Sequence, residues 1–239
     1  MFSPTVFECP NFFKLGEKWV LIISTHIGHT TGTVMYWVGR FENHKFIPET
    51  EGVLDSGYHY ASLSHVDEQG RRILWAWLRE GRSTAQQIEA GWSGVQAIPR
   101  ILSLDNQNRL CTMPVPELET LRGVSYRFTS DNLSSDILPV TGWALDIEAT
   151  LDIRGGENCG IDVACSNDGF EKTSIYYDVS TETLRIERHY ATGADSTDTY
   201  IQGLPHSLNN NEKLELRILL DGSVLEVIAN QRTSITSRI

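Results

Sequence analysis

The sequence has 239 residues, enough for one large domain or two small ones. Its 20 Lys and Arg against 31 Asp and Glu leave a formal charge of −11, which repels phosphate backbones and anionic lipid and argues against nucleic-acid and membrane partners. A hydrophobic content of 40%, with six Trp and eight Tyr, supplies a packed core and excludes disorder, while no apolar run reaches the roughly 18–20 residues of a membrane span.

The opening MFSPTVFECP has neither a basic stretch nor an apolar one, so no secretory signal is visible. A cytoplasmic protein is expected, or a secreted one if a leader has been removed. Next, KWVLIIS (18–24), TVMYWVG (33–39), HYASLSHV (59–66), RILWAWL (72–78) and AIPRILSL (97–104) are short apolar or alternating runs separated by Gly, Asn, Asp and Pro. That spacing predicts consecutive antiparallel strands, five or six in this half. DEQG (67–70) reads as a turn, with Gly70 free to take positive φ. STAQQIEAGW (83–92) is the one stretch here that predicts a helical turn. PVPELETLRG (114–123) then breaks the pattern with two prolines and an acidic run. It is read as a linker over 117–124 with a helical turn at 117–121. Residues 1–116 and 125–239 fall on either side.

Beyond the linker, WALDIEATLDI (143–153) alternates Leu145, Ile147, Ala149, Leu151 and Ile153 with polar residues, as a half-buried antiparallel strand does. LELRILLDGSVLEVIAN (214–230) predicts two strands joined at Asp221-Gly222, a strong hairpin signal. Several such strands argue a β-sandwich. Both ends of the sequence lie inside patterned stretches, the last being TSRI, which reads as a piece of a longer architecture. The four cysteines predict neither a disulfide scaffold nor a zinc site. Cys159 and Cys165 sit in CGIDVAC, which as a strand separates them by about 20 Å, beyond disulfide reach. No metal or cofactor is expected.

Among chemistry-bearing residues, Phe7-Glu8-Cys9-Pro10-Asn11-Phe12-Phe13 places a carboxylate among aromatics. Burial beside apolar rings would disfavour the charged form of Glu8 and suit it to general-acid work; the alternative is an ordinary acidic residue before a turn. His26-Ile27-Gly28-His29 spells the HIGH box of class I aminoacyl-tRNA synthetases, but the nucleotide-binding βαβ context is missing. The two histidines are therefore expected to be exposed in a loop, not metal ligands.

FECPNFF, LDSGYHYA, GRRILWAWL, GWSGVQAIPRILSLDNQNRLCTMPVPELETLR and LLDGSVLEVIANQRTSITSR occur in the order seen in glycoside hydrolase family 32, the invertases and fructan hydrolases, which this sequence resembles. The resemblance is close over 7–122 and in the C-terminal hairpin, and a matter of pattern over 124–212. It implies an all-β fold, a partial (truncated five-bladed) β-propeller at 1–116 followed by a C-terminal β-sandwich at 125–239. It also implies retaining hydrolysis of sucrose or fructo-oligosaccharides by two carboxylates. Glu8 takes the place of the family's acid/base and Cys9 lines the pocket beside it. Asp55 takes that of a sugar-hydroxyl ligand, Trp77 that of an apolar pocket wall, and Tyr60 is a further substrate-binding candidate. For Trp77 the alternative is simple core packing.

The departures bear on the chemistry. The W-[ML]-N-D-P-[NA]-G motif that carries the family's nucleophile, and the R-D-P motif, do not occur in residues 1–239, and the family's E-C-P-D reads Glu8-Cys9-Pro10-Asn11. Two readings follow: a β-fructofuranosidase whose second carboxylate comes from Asp55 or from another subunit, or a sugar-binding remnant without turnover. Propeller faces normally covered by neighbouring blades would be left open, which predicts a homodimer.

Overall fold

The computed structural model describes residues 4–28, 30–130, 137–153, 156–190 and 201–239. Four antiparallel strands come first: β1 (Val6–Leu15), β2 (Lys18–Ile27), β3 (Thr30–Glu42) and β4 (Lys45–Gly57). Alternation sorts their faces. Val20, Ile22, Val34, Tyr36 and Val38 are buried, whereas Leu21, Ile23, Met35 and Trp37 are half-buried. The buried face packs on a second antiparallel sheet of β5 (His59–Val66), β6 (Arg72–Leu78), β8 (Arg100–Leu104) and β9 (Leu110–Pro114), to which β7 (Val95–Gln96) adds a short strand beside β6. Phe13, Ile22 and Tyr36 meet Leu74, Leu102 and Leu110 between the sheets. Each such fully buried aliphatic or aromatic side chain contributes roughly 1.5–3 kcal/mol.

Among its described residues the first half thus holds nine strands, more than the five or six expected. The stretch KFIPETEGVLDSG gives no alternation and contains Pro48, yet it forms β4. Pro48 is tolerated because it lies opposite Gly39 where the β3–β4 register slips, a place where a ladder hydrogen bond is already interrupted. AIPRILSL is strand only from Arg100 onward, since Pro99 lies just before it. The helical turn is α1 (Thr84–Ala90), capped by Ser83, whose Oγ accepts from Gln86 N. A 3₁₀ turn (Pro116–Leu121) ends this half.

In the second half, β10 (Ala144–Leu151), β15 (Leu214–Asp221), β16 (Val224–Ala229) and β17 (Thr233–Arg238) form one sheet. β11 (Cys159–Val163), β12 (Lys172–Asp178), β13 (Thr183–Tyr190) and β14 (Gln202–Pro205) form the other. Ile175, Leu184 and Ile186 are packed against Leu216, Ile218, Val227 and Ile235 to make its core. The hairpin turns at Asp221-Gly222, with Gly222 at φ 55.

The two halves share a sheet. β17 lies beside β4 in a short parallel pairing, Ile235 opposite Ser56 and Thr236 opposite Gly57, so that β1 to β4 run on into β17, β16, β15 and β10. Gly57 permits this approach: it takes φ 103, and a Cβ there would strike the carbonyl oxygen of Thr236 and the amide of Gln202.

Candidate active site

The hairpin of β1 and β2 carries a β-bulge that decides where Glu8 points. Asn11 pairs with Ile22 and Phe13 with Val20, but Glu8 pairs with Ser24, so β1 has one more residue than β2 over this interval. Were the same sequence paired straight, with Glu8 opposite Thr25, Glu8 would share the outer face with Phe12 and Lys14. With the bulge, Glu8 joins Asn11 and Phe13 on the face toward the second sheet. Cys9 absorbs the irregularity at φ 49, a left-handed conformation uncommon for a side-chain-bearing residue. Pro10 lacks an N–H and is accommodated where the ladder is broken. A matching bulge in β5 lies between Tyr60 and Leu63, with Ala61 at φ 52.

These two bulges bring Glu8 and Tyr60 together with a histidine. Tyr60 Oη lies 3.0 Å from Glu8 Oε2, and His26 Nε2 lies 2.9 Å from the same oxygen. Tyr60 Oη also lies 3.1 Å from the carbonyl oxygen of Thr25, a second acceptor for its single proton. Burial, and next the bond to Glu8, push the Tyr60 hydroxyl well above its ordinary pKa, so it keeps its proton. The Arg79 guanidinium lies 5.4 Å over the Tyr60 ring and is itself held by Thr31 and the carbonyl of Gly57. Trp77 stands edge-to-face with Tyr60, centroids 6.5 Å apart, and is 46% exposed, too open for a purely core role. Its indole lies against Gly94, where a Cβ would collide with Nε1.

Glu8 is not buried among apolar rings as expected. Its side chain is 43% exposed, and its neighbours are polar. Cys9 is half-buried beside it. Asn11 does not reach Glu8: its Oδ1 accepts from Ser64 N at 3.0 Å and Ser64 Oγ at 2.6 Å, tying β1 to β5.

Asp55 is not part of this group, and the sugar-ligand role expected of it is corrected. It is fully buried at the junction of β4 and β17. Its Oδ2 accepts from Arg100 Nη1 at 2.7 Å and Thr236 Oγ1 at 2.8 Å, and its Oδ1 from Thr236 N at 3.0 Å. Arg100 turns its other edge to Glu226, with Nη2 2.5 Å from Oε2. A carboxylate with both oxygens so engaged and no exposed surface meets no sugar, nor can it act as the second carboxylate of a retaining pair. The chain neighbours of Asp55 gave no hint of this, because the groups that enclose it come from β8, β16 and β17. His59, also buried there, is held neutral, its pKa driven well below the ordinary value by burial and then by Arg100.

His26 was expected in an exposed loop and is found in β2, 21% exposed and bonded to Glu8. The signal was the register: Glu8 opposite Ser24 makes His26 a diagonal neighbour on the same face. His29 lies outside the described residues. Among the described residues, no group of three or more His, Cys, Asp or Glu could hold a metal, and no helix is long and apolar enough to cross a membrane.

Residues 3–114 match the glycosyl hydrolases family 32 N-terminal domain, and residues 117–239 match the family 32 C-terminal domain. An insoluble β-fructofuranosidase isoenzyme 1 from Daucus carota is 33% identical over 177 residues, covering 62% of this chain and 30% of that protein. A sucrose-6-phosphate hydrolase from Zymomonas mobilis is 30% identical over 252 residues, covering 98% of this chain and 48% of that protein. The chain therefore spans about half or less of these curated relatives. The crystal structure of fructan 1-exohydrolase IIa from Cichorium intybus superposes with a TM-score of 0.84 at 25% identity, over 98% of this chain and 55% of that one. A variant of that enzyme has been crystallised with 1-kestose. The strand-rich halves described above have the fold of a partial propeller joined to a sandwich.

Proposed function

The chain belongs to glycosyl hydrolase family 32, and from that premise we propose that it takes part in hydrolysis of β-fructofuranosides, sucrose or short fructo-oligosaccharides, with Glu8 as the general acid/base. The observation that carries this reading is the convergence of two hydrogen-bonding side chains, His26 and Tyr60, on the carboxyl of Glu8, beside a half-exposed Trp77. An acid/base must be held yet reachable, and Glu8 is both. Trp77 offers the flat apolar surface on which a sugar ring's C–H face rests, and Cys9 lines the approach.

The chemistry takes two steps. Glu8 gives its proton to the glycosidic oxygen as the bond from that oxygen to the anomeric carbon breaks, and a nucleophilic carboxylate bonds the same carbon. Glu8, now ionised, takes a proton from water while the water oxygen bonds the anomeric carbon and frees the nucleophile. The family's nucleophile motif does not occur in residues 1–239, so that carboxylate must come from outside them, from other chain or from a partner.

A second copy of the chain is our proposal for a partner. The outer face of the first sheet carries half-buried Leu21, Ile23, Met35 and Trp37, and that of the second carries Leu63, Trp75 and Met113, 52%, 36% and 46% exposed. A two-fold dimer in which each chain's first sheet covers the other's second closes a ring of four sheets, within the range of propellers. It should bury on the order of 2,000 Å² or more. Light scattering at micromolar concentration is expected to give twice the chain mass; a stable monomer overturns it.

The missing nucleophile motif also supports a second reading, a fructoside-binding module without turnover. Fructose release from sucrose by the purified protein separates the two. Under the first, Glu8→Gln lowers the rate on the order of 100-fold or more. Release indifferent to Glu8→Gln removes the acid/base assignment, and sugar binding with no release supports the module.

A further inference from the structure

We propose that His26 is a positioning residue for the acid/base: together with Tyr60 it occupies Oε2 of Glu8, so that the proton to be transferred is carried on Oε1. The inference rests on the acid/base reading of Glu8 and assigns the two carboxyl oxygens different tasks.

The geometry is asymmetric. Both protein contacts of the carboxyl, Tyr60 Oη at 3.0 Å and His26 Nε2 at 2.9 Å, go to Oε2. Among the described residues no hydrogen bond reaches Oε1, and the side chain is 43% exposed. A carboxyl held at one oxygen by two side chains has its plane fixed and its other oxygen turned away from both. Oε2 is closed off by His26 and Tyr60, and Oε1 is the oxygen left open to a glycosidic oxygen.

The supports of both donors are themselves rigid. His26 is fixed in β2 by pairing with Thr31 on one side and Val6 on the other, and its carbonyl accepts from Thr5 N at 2.8 Å. Its ring stands edge-to-face with Tyr60, centroids 5.9 Å apart. Tyr60 is 3% exposed and keeps its hydroxyl proton for the reason given above. Beyond Glu8, the charged or titratable groups facing Tyr60 among the described residues are Arg79, over its ring, and the thiol of Cys9. An imidazole that donates to Oε2 must carry its hydrogen on Nε2. The opposite arrangement, a Glu8 proton on Oε2 donated to a bare Nε2, requires the hydrogen on Nδ1 instead. An Nδ1–H ring with a bare Nε2 would therefore place the acid proton on Oε2.

The test uses the full chain and a readout that does not depend on turnover. Long-range ¹H–¹⁵N correlation of the His26 ring is expected to show the Nε2–H form; an Nδ1–H ring with bare Nε2 overturns the proposal. In parallel, the ¹³C titration of the Glu8 carboxyl is followed in the unsubstituted chain, in His26→Gln and in His26→Leu. Glutamine retains an N–H that can reach Oε2, and leucine does not. The midpoint should be nearly unchanged with Gln and move upward by roughly one pH unit with Leu, because a donor to the charged form is lost. If the Leu chain does not fold, the tautomer and the Gln chain still decide. In hydrolysis, His26→Leu should lower kcat on the order of 10-fold with KM little changed. Glu8→Gln keeps the two failures apart. If that variant hydrolyses normally, the acid/base reading falls; if it is dead while His26→Leu matches the unsubstituted chain in titration and kcat, the positioning role alone falls.

Discussion

Asp55, Arg100 and Glu226 set two carboxylates against one guanidinium in a site with almost no solvent. One negative charge is in excess, and burial pushes the Asp55 carboxyl up to about 6, against the pull of Arg100. The folded state therefore holds a proton more tightly than the unfolded chain, whose Asp titrates near 3.8. Stability from this group is fully present below about pH 4 and is lost as pH rises to about 6, opposite in sign to the usual salt-bridged carboxylate. The loss is on the order of 3 kcal/mol, at about 1.4 kcal/mol per unit. Urea unfolding of the unsubstituted chain and of Asp55→Asn, compared at pH 5 and pH 7, should show the difference: the unsubstituted chain weakens relative to the variant as pH rises. Arg100→Met, which strands both acids, should cost about 3–5 kcal/mol.

At the scale of elements, the bulge in β1 acts as a switch of faces. Because side chains alternate along a strand, one residue more or less moves everything beyond it to the other side. Deleting Cys9 removes the extra residue but leaves Glu8 opposite Ser24 and two positions from Asn11, so the carboxyl should stay on the inner face. The expected outcome is a chain with an unchanged far-ultraviolet circular dichroism spectrum and fructose release that still depends on Glu8. Loss of that dependence would mean that the left-handed turn at Cys9 itself, and not the face on which Glu8 lies, aims the carboxyl. This is also where the sequence was least legible. The motif around Glu8 singled out the residue, but alternation alone would have set it on the outer face beside Phe12. His26 looked like half of a loop pair because its partner is reached only through that irregular register. β4 was invisible because Pro48 and its charged neighbours hide a strand whose long pairing, with β3, lies on one side only. By contrast β5, β6, the hairpin at Asp221-Gly222 and the capped helix could be read directly, since each depends on residues adjacent in the chain.

At the scale of the molecule, what the sequence could not carry was contact between distant segments. Asp55 matched a motif, and the motif named a residue without naming what would enclose it. Thr236, 181 residues further on, supplies two of its hydrogen bonds, and Glu226 shares its arginine. No periodicity relates such positions. The all-β class and the break near Pro114 and Pro116 needed only local pattern, and the two cores form on either side of that break.

The shared sheet has a consequence for how the two halves can exist. β17 is an inner strand only because β4 lies beside it, and Glu226 is neutralised only because Arg100 reaches it from β8. Ile98 N also donates to Glu226 Oε1 at 2.8 Å. Take the second half away and Arg100 and Asp55 face water with most of their bonds gone; take the first away and Glu226 is left as a bare acid at a raw sheet edge. The sandwich is therefore no cargo that could be cut loose and grafted elsewhere as a sugar-binding tag. Its autonomy ends at one arginine, and the two halves stand or unfold together.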